Sequence, residues 1–217
     1  MFVDRTDAGK QLGRALEKYR SSHPLVLGIP RGGIEVGYYV AGHLQCDFDT
    51  LVVRKLGYPQ QPEAAFGALA EDGSLYLDPW SNRFISKELI EKVQKKEKEE
   101  IKRRITIYRQ GRNLTPLRDR VVIIVDDGIA SGATIFAAID MCRKKQPQKL
   151  VVAAPVSGVN RLARLETSTD EVVILDKREE YHAVSEAYVD FINLSDEDVI
   201  KIINRWQQKT GREINSE

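Results

Sequence analysis

The chain has 217 residues, 42% of them hydrophobic and 30% charged, which is enough apolar content for one core with an appendage. Its 33 basic and 32 acidic side chains leave a formal charge of +1, so no whole-protein field draws it to nucleic acid or to anionic membranes. Cys46 and Cys142 lie far apart without CxxC spacing, which argues against a disulfide framework or a structural zinc site and fits two buried small hydrophobes in a reducing compartment.

The stretch from Met1 to Lys10 places Asp4, Arg5, Asp7 and Lys10 where a secretory signal needs an apolar core, and no apolar run reaches membrane-spanning length. A cytoplasmic protein without a membrane partner is expected. Ala8, Leu12, Ala15, Leu16 and Tyr19 recur at helical spacing over Asp7 to Tyr19, and Ser21-Ser22-His23-Pro24 stops that helix. Leu25 to Ile29 reads as a short buried strand, Pro30 to Gly33 as a tight loop, and Ile34 to Leu44 as a helix. Asp49 to Arg54 supplies the next strand and runs into Val53-Arg54-Lys55-Leu56-Gly57-Tyr58-Pro59, read as a mobile basic loop. Ala64 to Ala70 and Ser74 to Asp78 flank Glu71-Asp72-Gly73, whose Asp-Gly pair signals a hairpin.

A long charged helix occupies Ser86 to Arg112, with Ser86 as its N-cap and Leu89, Val93, Ile101, Ile105 and Tyr108 as a narrow apolar stripe. That pattern predicts packing along one seam, with the rest solvated or serving as a dimer arm. Glu91, Glu97, Glu99 and Glu100, set among its lysines and arginines, weaken any phosphate affinity, so nucleic acid is not an expected partner. Beyond it come a buried strand over Val121 to Val125 and a helix over Ser131 to Lys145. A strand over Lys149 to Ala154, a helix over Asn160 to Glu166, a strand over Glu171 to Leu175 and a terminal helix over Asp196 to Gln208 follow. Strands alternating with helices specify an α/β fold in one domain over residues 1–217: a mostly parallel central sheet flanked by helices, with a hairpin and a helical insertion at about 79–118.

The most informative run is Arg120-Val121-Val122-Ile123-Ile124-Val125-Asp126-Asp127-Gly128-Ile129-Ala130-Ser131-Gly132-Ala133-Thr134. Five β-branched residues suit a strand buried on both faces, two carboxylates stand at its carboxyl end, and small and hydroxyl residues lead into a helix start. In open α/β sheets ligands bind beyond that edge. The plain alternative is a buried strand followed by an ordinary N-cap at Ser131. The run resembles the PRPP-binding signature of the type I phosphoribosyltransferases. The resemblance implies that Asp126 and Asp127 face the ribose hydroxyls of PRPP and its Mg²⁺, and that Gly128, Ile129, Ala130, Ser131, Gly132, Ala133 and Thr134 hold the 5-phosphate.

Two earlier segments match the same family in the same order. Leu27-Gly28-Ile29-Pro30-Arg31-Gly32-Gly33 resembles its pyrophosphate loop, with Arg31, Gly32 and Gly33 facing the leaving group, the adjacent glycines allowing unusual backbone conformations and close approach. Arg54 and Lys55 correspond to the basic loop that closes over PRPP. Taken alone, each segment also reads as an ordinary strand end. The family resemblance covers about Pro24 to Pro155 and implies transfer of the 5-phosphoribosyl group to a nitrogen nucleophile, by a homodimer with Mg²⁺. Members acting on 6-oxopurines carry an acid where Ala130 stands, so the acceptor is left unassigned. Its hood would comprise about residues 176–195 with the amino-terminal helix, where Lys177, Arg178, Glu179, Tyr181, His182 and Tyr188 could face a base or water. The alternative function is a PRPP or nucleotide sensor that regulates a partner without turnover.

Overall fold

Val121 to Val125 forms a strand, β6 (Val121–Val125), buried along its whole length in the computed structural model, which describes residues 1–211. It pairs in parallel with β1 (Leu25–Gly28) on one side and β7 (Lys149–Gly158) on the other. Outside them lie β2 (Asp47–Thr50), beside β1, and β8 (Glu171–Arg178), beside β7, giving the order β2-β1-β6-β7-β8, all parallel. Val122 and Ile124 pack with α4 (Ala133–Lys144), whereas Val121, Ile123 and Val125 share the opposite face with α2 (Gly32–Leu44) and with Leu12 of α1 (Arg5–Ala15). The strand's period of two thus divides its side chains between two apolar layers. Each buried aliphatic side chain contributes about 1.5–3 kcal/mol relative to exposure.

The expected strand over Asp49 to Arg54 is instead two strands in different sheets. β2 ends at Thr50, and β3 (Val53–Tyr58) belongs to an antiparallel sheet with β4 (Gln61–Ala70) and β5 (Leu75–Leu77). The break is chemically sealed: the Leu51 N–H donates to the Gly28 carbonyl at 3.0 Å, and the Val52 N–H donates to Glu71 Oε2 at 3.0 Å. Arg109 reaches the same point, donating to the Thr50 carbonyl at 3.4 Å and to Glu71 Oε1 at 2.7 Å. This buried pair takes the place of ladder bonds that the chain gives up on leaving the main sheet. No run of residue types announces such a corner, because the strand pattern on either side of it is continuous.

Arg109 closes α3 (Lys87–Arg109), capped at its start by the Ser86 hydroxyl, which accepts from the Leu89 N–H at 3.2 Å. The helix is more than a narrow seam. Val93, Ile101 and Tyr108 join Ile34, Leu56, Phe66 and Val199 in a third apolar cluster beneath β3, β4 and α6 (Asp196–Thr210), and Glu97, Arg104 and Arg109 are buried as well. Elsewhere the expected elements shift by a few residues. β7 continues through Pro155, where pairing with β8 skips a position and resumes at Val156 opposite Asp176. α5 (Val159–Ser168) follows, and the first helix ends at Ala15 before a 3-10 turn over Glu17–Ser22 that buries Tyr19. The Asp-Gly hairpin turn forms as expected, with Gly73 at φ +90°. Among the described residues no helix is long and apolar enough to cross a membrane.

Removing one partner of the buried corner pair leaves the other charge without compensation. Arg109→Met should therefore destabilise the fold by about 3–5 kcal/mol in urea or guanidinium unfolding, with β3 and α3 losing amide protection before the parallel sheet does.

Candidate active site

Gly28 lies level with Val125 on one side and with Thr50 on the other, so the carboxyl ends of β1 and β6 stand next to each other. The chain turns outward to β2 after β1, yet places β6 on β1's other side. The strand order therefore reverses between β1 and β6, which opens a crevice above their ends. The loops after both strands leave from that crevice, joined at their base by the Ile29 N–H donating to the Val125 carbonyl at 2.9 Å.

Gly32 and Gly33, expected in the loop, instead open α2 directly after it, and they have a reason the sequence did not reveal. Neither is among the positive-φ residues, so conformational freedom is not what they supply. A Cβ on Gly32 would lie 1.8 Å from Asp127 Oδ2, and one on Gly33 would lie 2.6 Å from the Val125 carbonyl oxygen and 2.9 Å from the Asp126 Cα. Both positions must be glycine because the first loop is pressed onto the acid pair. Gly132 is the contrasting case: at φ +78° it is the N-cap of α4, a left-handed position that glycine occupies without strain. The helix accordingly starts at Ala133, after the Ser131 cap that the sequence suggested; the Ser131 hydroxyl instead accepts weakly from the Ala133 N–H at 3.4 Å.

Asp126 and Asp127 are chemically unequal. The Asp126 carboxyl is pushed well above the ordinary carboxylate range, first by burial and then by the negative charge of Asp127, against the pull of the Asp127 N–H and of the Lys55 ammonium. Its Oδ1 accepts from the Asp127 N–H at 2.9 Å. Asp127 is held from outside: Arg5 Nε donates to its Oδ2 at 2.7 Å, and the Tyr188 hydroxyl donates to its backbone carbonyl at 2.6 Å. In the loop that follows, the Ile129 N–H is committed to the Val156 carbonyl at 2.9 Å, and Arg161 Nε donates to the Ala130 carbonyl at 3.3 Å. These bonds fix the loop's base and leave the N–H groups after Ile129, with the amino end of α4, to meet an anion.

A cavity of about 620 Å³ gathers these groups. Arg31, Gly32, Arg54, Lys55, Asp126, Asp127, Gly128, Ile129, Ala130, Ser131, Gly132 and Thr134 all line it, whereas Gly33 and Ala133 support it from behind. Arg54 and Lys55 are on strand β3, in place of the mobile loop expected there, because Leu56 and Phe66 anchor the hairpin to the core. They also differ in available charge: Arg54 Nε is paired with Glu97 Oε2 at 2.7 Å, whereas Lys55 is exposed, forms no direct salt bridge among the described residues and acts on Asp126 only through its charge. Sequence reasoning missed the opposite wall. Lys92, Val93, Lys96, Glu97 and Arg104 of α3 face the cavity, and the spacing of Lys92 and Lys96, one helical turn apart, was the available signal. Of the hood candidates, Tyr188 reaches the acids and is buried, whereas His182 is exposed and outside the cavity lining.

Among the described residues no cluster of three or more His, Cys, Asp or Glu side chains could hold a metal. The oxygen donors of Asp126 and Asp127 suit Mg²⁺ that arrives with a phosphate ligand, since that ion is commonly held by one or two carboxylates together with substrate oxygens. Cys142 is buried as expected but Cys46 is only half-buried; both are free, burial pushes the pKa of each up to about 12, and neither lines the cavity.

A carboxyl whose folded-state pKa is raised favours folding only while protonated, so its penalty is absent below the unfolded value of about 3.9 and grows as pH rises. Asp126→Asn should therefore melt at a higher temperature than the wild type at neutral pH, with the difference closing as the pH falls toward 4. A lower melting temperature for the variant at pH 7 would contradict the raised carboxyl.

Comparison with known proteins agrees with this geometry. A family model described as the phosphoribosyl transferase domain matches residues 6–192. Two Mycobacterium tuberculosis proteins, from strains CDC 1551 / Oshkosh and H37Rv, each named "Putative phosphoribosyl transferase", are 41% identical over 207 residues, covering 94% of this chain and 47% of theirs. The chain thus spans about half the length of these curated relatives. The crystal structure of TT1426 from Thermus thermophilus superposes with a TM-score of 0.78 at 37% identity, covering 94% of this chain and 98% of that one. With the acid pair and the parallel sheet order in place, and the family model matched over residues 6–192, the chain belongs to the phosphoribosyl transferase domain family.

Proposed function

We propose that the chain transfers the 5-phosphoribosyl group of PRPP to a nitrogen nucleophile, a nucleobase or related amine, and releases pyrophosphate. The observation that carries this is the meeting of two adjacent carboxylates, a helix-capped loop and a cationic wall in one cavity. The loop from Gly128 to Thr134 takes the 5-phosphate on its backbone N–H groups and the amino end of α4. Asp126 and Asp127 accept hydrogen bonds from the ribose hydroxyls, which orients the sugar with its anomeric carbon toward the cavity. Arg31, the Gly32 backbone and Lys55 receive the pyrophosphate, and Lys92 and Lys96 of α3 add positive potential to that side.

The reaction asks for positioning and electrostatics rather than covalent help. As the bond from the anomeric carbon to the pyrophosphate oxygen lengthens, positive charge grows on the sugar and negative charge on the leaving group. The carboxylates stabilise the first and the cations the second, inside a cavity where both effects exceed their strength in water. Bound Mg²⁺ would neutralise phosphate oxygens, with Asp126 and Asp127 as the residues that would hold it. Ala130 offers no carboxylate to a purine N7, which argues against a 6-oxopurine acceptor.

Purified protein given PRPP and Mg²⁺ should release pyrophosphate in the presence of at least one acceptor from a panel of bases and amines. On that acceptor, Asp127→Asn should lower turnover by about a hundredfold or more, with melting curves showing that the variant, whose amide oxygen can still accept from Arg5, is folded. An unchanged rate would overturn the assignment of Asp127. PRPP binding without release from any acceptor would favour the sensor.

A further inference from the structure

Arg5 is an arginine in the first turn of α1, 6% exposed, and 122 positions away in sequence from the carboxylate it holds. Burial of a guanidinium costs several kcal/mol unless its donors are met, so its partners show what the fold gains from it. Its Nε donates to Asp127 Oδ2 at 2.7 Å, and its Nη1 donates to the Ile192 carbonyl at 2.7 Å. Its planar head lies 4.0 Å from the ring centroid of Phe191 and 6.0 Å from that of Tyr188. Tyr188 in turn holds the Asp127 carbonyl, so side chain and backbone of this one acid are gripped by α1 and by the strap from Tyr188 to Ile192.

Arg5 does not line the cavity, and a Cβ on Gly32 would meet its Nε at 2.8 Å, which places it directly behind the first loop. It is thus shielded from a ligand by the loop and the acid. One carboxylate oxygen of Asp127 is taken by Arg5, which leaves the other oriented by a rigid, stacked partner.

We propose that Arg5 is a positioning residue of the phosphoribosyl site, fixing the Asp127 carboxylate in the orientation that receives the ribose. The role rests on the phosphoribosyl reading given above. It explains why an arginine is buried at the amino-terminal edge of the fold, where the amphipathic pattern of α1 calls for an apolar or solvated side chain. Acting through Asp127, Arg5 must lose its influence when that carboxylate loses its charge.

Calorimetric titration of PRPP with Mg²⁺ into wild type, Arg5→Met, Asp127→Asn and the double variant tests this, with melting curves to show that each is folded. Arg5→Met should weaken binding by about tenfold, and the same change in the Asp127→Asn background should cost little more. Arg5→Lys, which keeps a donor for Asp127 but loses the fork to the Ile192 carbonyl, should recover most of the loss and guards against a methionine variant that does not fold. Equal penalties in both backgrounds, or tighter binding by Arg5→Met, would overturn the role. Wild-type protein that binds no PRPP would overturn the phosphoribosyl reading itself, and this role with it, which keeps the two failures distinct.

Discussion

The site depends on a close contact: the loop after β1 lies so near the acid pair after β6 that only hydrogen fits where a Cβ would stand on Gly32. That contact follows from register. Gly28 and Val125 are level and adjacent, and strand order reverses between them, so two loops that are far apart in sequence leave the sheet side by side. Everything that could grip an activated sugar phosphate is built outward from this junction. The loop after β6 is anchored by the Ile129 and Ala130 backbone bonds, and the cationic side by β3 and α3.

Holding two carboxylates here is costly, and the surrounding residues divide that cost unequally. Asp126 is pressed toward its neutral form by burial and by its neighbour's charge, whereas Asp127 is given an arginine, a tyrosine and a fixed backbone. Unliganded, the pair holds an electrostatic penalty that a sugar's hydroxyls or a ligand-borne cation would relieve. A region that a protein keeps at a stability disadvantage in this way is where ligand binding has the most free energy to recover.

The sheet core is legible because local pattern and tertiary role coincide there. The unbroken β-branched run of β6 can be satisfied only between two covered faces, and the acids and glycines that follow it have few structural uses. What stays hidden involves contacts between segments that carry no mutual signal. The corner at Leu51 and Val52 depends on Glu71 and Arg109, each unremarkable in its own segment. The role of α3 depends on which way its lysines turn once Val93, Ile101 and Tyr108 are buried. Arg5 reads as one charge among several in a polar amino-terminal stretch, because nothing near it in sequence announces a partner 122 positions away. Conversely, Arg54 and Lys55 do line the cavity, but the sequence suggests the wrong form for their segment, since its glycine and proline punctuation belongs to a hairpin whose apolar residues are anchored.

The most direct measurement is a crystal structure with ribose 5-phosphate bound. The account predicts the phosphate within hydrogen-bond distance of backbone N–H groups between Ala130 and Thr134, and the ribose hydroxyls on Asp126 and Asp127, with Arg5 still paired to Asp127. Phosphate density seated elsewhere, with the acid pair making no contact to the sugar, would contradict it.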